Sequence, residues 1–326
     1  MRWRAPVALL ALALGTLPAV PPAAAEAEPD FISVFQRGAV AVERDDAAFV
    51  WTADLLSLNT GEKIGTYTDR ATCATGAPSS CLIYDITTTY RVPGGEITSR
   101  GQWSVAPDST RSGFFFTASQ PARETIISGT GRFGGRQGRV IGWGILDLRQ
   151  FPDRVGVDSR TFIRFGPSDA DVLGQRELIL DREVPGAEHF QAELFRTDGV
   201  NHSTEPGQYL IHTLVFSPAD GSQIGTVVDR FTCGSGPPPC QVLEGTATIT
   251  YPEGSVTGHF VVPYAPDPAR PGFYLFGGRP TEDNLVEATG VYAGRTGKFS
   301  VSGSVDMRRF PSPIPYEGVG LVAFND

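Results

Sequence analysis

The stretch Ile64-Gly-Thr-Tyr-Thr-Asp69-Arg70-Ala-Thr-Cys73 returns 160 residues later as Ile224-Gly-Thr-Val-Val-Asp229-Arg230-Phe-Thr-Cys233. A second cysteine follows each copy, Cys81 and Cys240, and from there the offset is 159. That offset holds through Pro107-Asp108 and Pro266-Asp267, Gly113-Phe114 and Gly272-Phe273, and Phe151-Pro152 and Phe310-Pro311. The chain is therefore one domain written twice, with one residue fewer in the second cysteine loop. Extending the register pairs Phe35 with Phe195 and Phe165 with Phe324, which sets the units at 31–165 and 191–324. Between them, 166–190 is rich in Asp, Glu, Gly and Pro and reads as a linker.

Within each copy apolar residues recur at every second position and turn residues arrive about every ten, so neither unit offers a helical period. Lys298–Asp306 shows the alternation most cleanly: Phe299, Val301 and Val305 share one face, and Ser300, Ser302 and Ser304 the other. About eight strands fit into each unit of roughly 135 residues. The expected fold class is all-β, two tandem eight-stranded antiparallel β-barrels, because closure removes exposed strand edges and leaves an interior for side chains or one small ligand. A two-sheet sandwich is the competing arrangement.

The 326 residues are 40% hydrophobic and 19% charged, a globular balance with room for two such domains. A formal net charge of -9 withholds the basic footprint that nucleic acid would need, so no nucleic-acid partner is expected. Met1-Arg-Trp-Arg4, the apolar run Ala5–Val20 and Ala23-Ala-Ala25 together read as a secretory signal peptide over 1–25, with a retained anchor as the alternative. Export to the exterior or cell envelope follows. The cysteines suit that compartment: Cys73 with Cys81 and Cys233 with Cys240 are spaced for two local disulfides. A metal site is the competing reading, but neither pair is C-x-x-C and no His lies close in sequence, so no metal is expected.

Gly129, Gly131 and Gly134 spell G-x-G-x-x-G, yet the alternating Arg139–Asp147 follows where a dinucleotide fingerprint needs a helix. The second copy, Ala288–Gly297, lacks the first glycine. These glycines read as a tight turn that needs positive φ and close packing. No nucleophile elbow, H-E-x-x-H, Walker loop or calcium loop is present, and no cofactor is expected.

The glycine-rich turn into the penultimate strand, with an aromatic-Pro about a dozen residues on, resembles the allene oxide cyclase and dirigent-protein barrels, including their bacterial relatives. The likeness runs through both copies, strongest over Gly129–Pro152 and Ala288–Pro311, and is supported by the Ile-Gly-Thr segments and by Pro93–Ile97. It implies an eight-stranded barrel with a largely apolar lumen and self-association into trimers or dimers. Members range from isomerising cyclases to proteins that steer radical coupling, so the likeness leaves function open. The acidic residue important on the first strand of the plant cyclases falls at Gln36 and Arg196 here, a departure that argues against allene oxide cyclisation. Those cyclases also carry a cysteine near Cys73.

Asp69-Arg70 and Asp229-Arg230 occur in both copies and read as architecture. Differences between copies point to sites. One strand face carries Val50, Thr52, Asp54 and Leu56 in the first unit, and Leu210, His212, Leu214 and Phe216 in the second. If it lines the lumen, His212 and Asp54 are the candidate catalytic acid or base. If it faces outward, both are ordinary surface groups. Asp85 and Glu244 sit on threonine-rich faces that read as solvent-exposed. Trp51, Trp103, Tyr209 and Phe260, with Trp143 and Tyr274, are candidates for lining a ligand cavity.

The function these features suggest is a secreted, cofactor-independent cyclase or isomerase that folds an apolar unsaturated or polyketide-like small molecule in a lumen. The alternative is a non-catalytic dirigent-like or lipocalin-like carrier of a hydrophobic small molecule. An assembly role for filled barrels is a third.

Overall fold

The computed structural model describes residues 31–57, 62–74, 81–119, 124–165, 190–196, 199–216, 223–233, 242–278, 282–310 and 313–325. The signal-peptide reading over 1–25 and all but residue 190 of the linker reading fall outside them. The described residues are β-strands joined by turns, with two short 3-10 turns at Gly131–Phe133 and Gly290–Tyr292.

The first sheet comprises β1 (Phe31–Ala41), β2 (Glu43–Asp45), β3 (Ala48–Ser57), β4 (Lys63–Cys73), β5 (Ile83–Val92), β6 (Gly95–Pro107), β7 (Phe114–Ser119), β8 (Glu124–Gly129), β9 (Gly138–Asp147) and β10 (Arg154–Phe165). Pairing runs β1-β10-β9-β7-β6-β5-β4-β3, and β1 returns to β3 through Val34↔Ser57 and Phe35↔Leu56. The antiparallel ladder thus forms a ring of eight lanes. β8 pairs both β6 and β9, continuing the lane of β7, and β2 is a short addition to β3.

The second sheet repeats the plan with β11 (Phe190–Arg196), β12 (Gln208–Phe216), β13 (Gln223–Cys233), β14 (Val242–Tyr251), β15 (Gly254–Pro266), β16 (Phe273–Gly278), β17 (Leu285–Ala288), β18 (Gly297–Asp306) and β19 (Tyr316–Phe324). Its order is β14-β13-β12-β11-β19-β18-β16-β15, closed by β14 with β15. Here, among the described residues, β17 pairs β15 alone. The Asn284 side chain spans the remaining gap, donating to the His259 and Phe299 carbonyls and accepting from the Phe299 N–H at 2.7 Å.

Alternation explains each core. One end of the first lumen is packed by Leu55, Ile97, Val140 and Ile163, all fully buried, and the matching end of the second by Val215, Val256 and Val322. Each such side chain contributes about 1.5–3 kcal/mol by leaving water. Glycine serves the turns: Gly131 has φ +57°, and a Cβ there would stand 2.1 Å from the Gly94 carbonyl oxygen. Gly290 repeats this with φ +61° against the Glu253 carbonyl. These contacts account for the glycines at 131 and 290.

A disulfide joins Cys73 to Cys81, with Cα atoms 5.7 Å apart. Cys233 is also disulfide-bonded, and its expected partner Cys240 lies outside the described residues.

The two barrels pack through equivalent outer faces, β9 on β18, β7 on β16 and β6 on β15. Phe116, Ile141, Trp143, Ile145 and Phe162 of the first meet Ala265, Leu275 and Val319 of the second in one apolar cluster. Gly277 is part of the fit, since a Cβ there would lie 3.0 Å from Ile145. At the centre Arg160, 1% exposed, donates to the Ser300 hydroxyl at 2.9 Å and the Ser302 hydroxyl at 3.1 Å, with Asp158 at 3.2 Å. The serine face of Lys298–Asp306 is thereby buried against the partner barrel.

Candidate functional site

On β13 the inward side chains are Val227, Asp229 and Phe231, while exposed Arg230 lies on the opposite face. Above the packed end of the second lumen is a cavity of about 100 Å³, walled by Val227, Phe260, Val262, Phe276, Phe299 and Val301. Among the described residues Asp229 is the one acid in this lining, and Tyr316 stands beside it.

Three strands assemble the polar corner. Tyr316 from β19 donates its hydroxyl proton to the Asp229 carboxylate. Thr213 from β12 lies 2.6 Å from the Tyr316 hydroxyl and donates to Asp229 over 3.5 Å. Burial pushes the Asp229 carboxyl up to about 6, opposed by the hydrogen bonds from Tyr316 and Thr213. Burial, followed by the Asp229 charge, holds Tyr316 well above the ordinary phenol range. Near neutral pH the carboxylate is therefore ionised while the phenol keeps its proton. A carboxylate of this basicity in an apolar cavity accepts and returns protons around neutrality.

The first lumen holds a cavity of about 70 Å³ with the equivalent Asp69, but different company. Thr88 donates to Asp69 at 2.6 Å. In the register of the repeat, Val157 stands where the second copy has Tyr316, and Ala53 where it has Thr213.

Asp54 and His212 lie on outer strand faces, so the expectation that they catalyse is corrected. Asp54 is exposed and paired with Lys63 at 2.7 Å, and exposed His212 stacks on His202 with ring centres 4.6 Å apart. The cause is parity: the inward side of β12 carries Tyr209, Ile211, Thr213 and Val215 instead. Trp51 and Trp103 line the first cavity, and Tyr209 and Phe260 the second. Trp143 is buried between the barrels, and Tyr274 packs edge-on against Tyr264 at 5.4 Å. Asp85 accepts from Gln102 at 3.0 Å, and exposed Glu244 stands 3.7 Å from His259. Gln36 is buried in the first lumen, accepting from Ser159 and Thr161.

The repeated Asp-Arg pairs divide between the two sides. Arg70 is exposed and bonded to Asp45, whereas Asp69 and Asp229 face the cavities. Reading them only as architecture missed the carboxyls. The available signal was the pairing of Val157 with Tyr316 and of Ala53 with Thr213, polar gains at inward positions in one copy. Among the described residues no three His, Cys, Asp or Glu side chains gather as a metal site.

No protein-family model matches the chain, and no curated protein matches it. Among solved structures, one described as pyocyanin demethylase is similar over 42% of this chain and 99% of its own, with 14% identity and a TM-score of 0.25. A likeness of that size carries no functional argument.

Proposed function

We propose that the protein is a secreted isomerase or cyclase that relocates a proton on an apolar unsaturated or polyketide-like small molecule in the second lumen, without a cofactor. The observation that carries this reading is the Asp229 carboxyl, raised to about 6 on the wall of a largely apolar cavity. Asp229 takes a proton from a carbon next to a carbonyl, the double bond shifts, and protonated Asp229 returns the proton to another carbon. Tyr316 and Thr213 position the carboxylate. The apolar walls orient the ligand and exclude water. Secretion is supported by the N-terminal pattern and by the disulfide. The barrel resemblance is supported by the ring of eight lanes in each copy.

Carriage without turnover is the second reading, favoured by one fact: Asp229 already accepts hydrogen bonds from Tyr316 and Thr213. The test is to incubate the purified protein with 3-cyclohexenone and larger β,γ-unsaturated ketones in D₂O, following binding and conversion by proton NMR. Isomerisation or deuterium uptake that vanishes in Asp229→Asn, with binding retained, supports the enzyme. Binding without exchange leaves the carrier, and no binding removes both.

A further inference from the structure

The first lumen contains buried polar groups that the described residues satisfy only weakly. Tyr67 is 1% exposed, and among the described residues its hydroxyl and the Trp51 indole N–H find no full hydrogen bond beyond the weak contact they make with each other. The two are each other's polar neighbours. Buried donors left dry are costly, and here both border a cavity of about 70 Å³. Asp69 lies two residues from Tyr67 on the same inward face. Gln36 commits its Oε1 to Ser159 and Thr161, which leaves its NH₂ as the group it offers. Flat walls complete the space: Trp51, Tyr84, Trp103 and Phe151.

Construction of the barrel does not require this set. The second copy has Ile211 for Trp51, Val227 for Tyr67 and Val262 for Trp103, and its ring of strands is the same. A cavity of about 70 Å³ limits the ligand to about one ring.

We propose that the first lumen is a second ligand site, taking a one-ring planar lactam or aromatic amide. Its carbonyl accepts from the Trp51 and Tyr67 donors, its N–H meets the Asp69 carboxylate, and its faces stack on the aromatic walls. This site stands apart from the second lumen, whose lining among the described residues has one acid and no indole. It does not depend on catalysis there.

The chain's tryptophans are Trp3, Trp51, Trp103 and Trp143, so none belongs to the second barrel, which only Trp143 of the described ones borders, while Trp51 and Trp103 line the first cavity. The experiment is a tryptophan-fluorescence titration of the whole protein with 2-pyridone, against size-matched toluene and against anionic benzoate. Saturable quenching by 2-pyridone is expected with Kd below about 1 mM, with toluene and benzoate at least fivefold weaker. Tyr67→Phe, which deletes one oxygen, should weaken 2-pyridone about fivefold with the circular dichroism unchanged. If that variant does not fold, Trp51→Phe followed by ligand-observed NMR takes its place. Absence of saturable binding by about 10 mM would mean a water-filled cavity and overturn the proposal. So would toluene binding as well as 2-pyridone, or a folded variant that binds it undiminished.

Discussion

Replacing Asp229 by Asn tests the central electrostatic claim through stability alone, before any substrate is known. Burial lifts this carboxyl from near 3.8 unfolded to about 6 folded. The folded state therefore binds the proton more tightly. Below about pH 4 both states are protonated and the group costs nothing. As pH rises from about 4 to 6 the unfolded chain ionises first, so stability falls, and above about 6 the loss is complete. A shift of roughly two units at 1.36 kcal/mol each gives a loss of about 3 kcal/mol, an upper figure because the cavity admits water. Asn is nearly isosteric and does not titrate, and any lost hydrogen-bond strength to Tyr316 is an offset without this slope. Urea unfolding of both proteins, followed by far-ultraviolet circular dichroism at half-unit steps from pH 4 to 7.5, should show the Asn variant gaining up to about 3 kcal/mol on wild type. A difference flat to within about 0.5 kcal/mol would refute the raised carboxyl and remove the base from the proposed reaction.

Tyr316→Phe removes the strongest hydrogen bond lowering Asp229, so the acid limb of a kcat/KM profile should move upward from about pH 6. Arg160→Ala leaves Asp158, Ser300 and Ser302 buried at the barrel contact without their guanidinium, and should cost about 3–5 kcal/mol in chemical unfolding. Cys73→Ser with Cys81→Ser opens a loop with a sequence separation of 8, and the chain-entropy relation gives a loss of about 2–3 kcal/mol, read as a lower urea midpoint.

The barrels were legible because their signals are local and doubled. Period-two alternation in Lys298–Asp306, repeated turn glycines and an offset that changes by one residue identify strands and where each copy begins. The cavity side was not legible from alternation, which separates two faces without saying which is inward. Val50, Thr52, Asp54 and Leu56 are as amphipathic as Phe49, Trp51, Ala53 and Leu55, yet only the second set packs inside. The outer face is apolar in places because the barrels cover it: Trp143 and Ile145 look like core residues and are, but of the contact between domains. The Asp229 site joins residues from 213 to 316, a span no local pattern reports. Comparing inward positions between copies would have exposed it once parity was known.

The contact centred on Arg160 also changes how the two cavities evolve. Where identical subunits pair, every substitution is made twice, so a tyrosine gained in one lumen appears in its twin. Here Tyr316 and Val157 occupy the same place in the plan and differ, as do Thr213 and Ala53. Covalent continuity keeps the halves together at any dilution. Duplication within one chain has thus released each chamber from its sibling's requirements, and the same aspartate is set against Tyr316 and Thr213 in one and against Thr88 in the other.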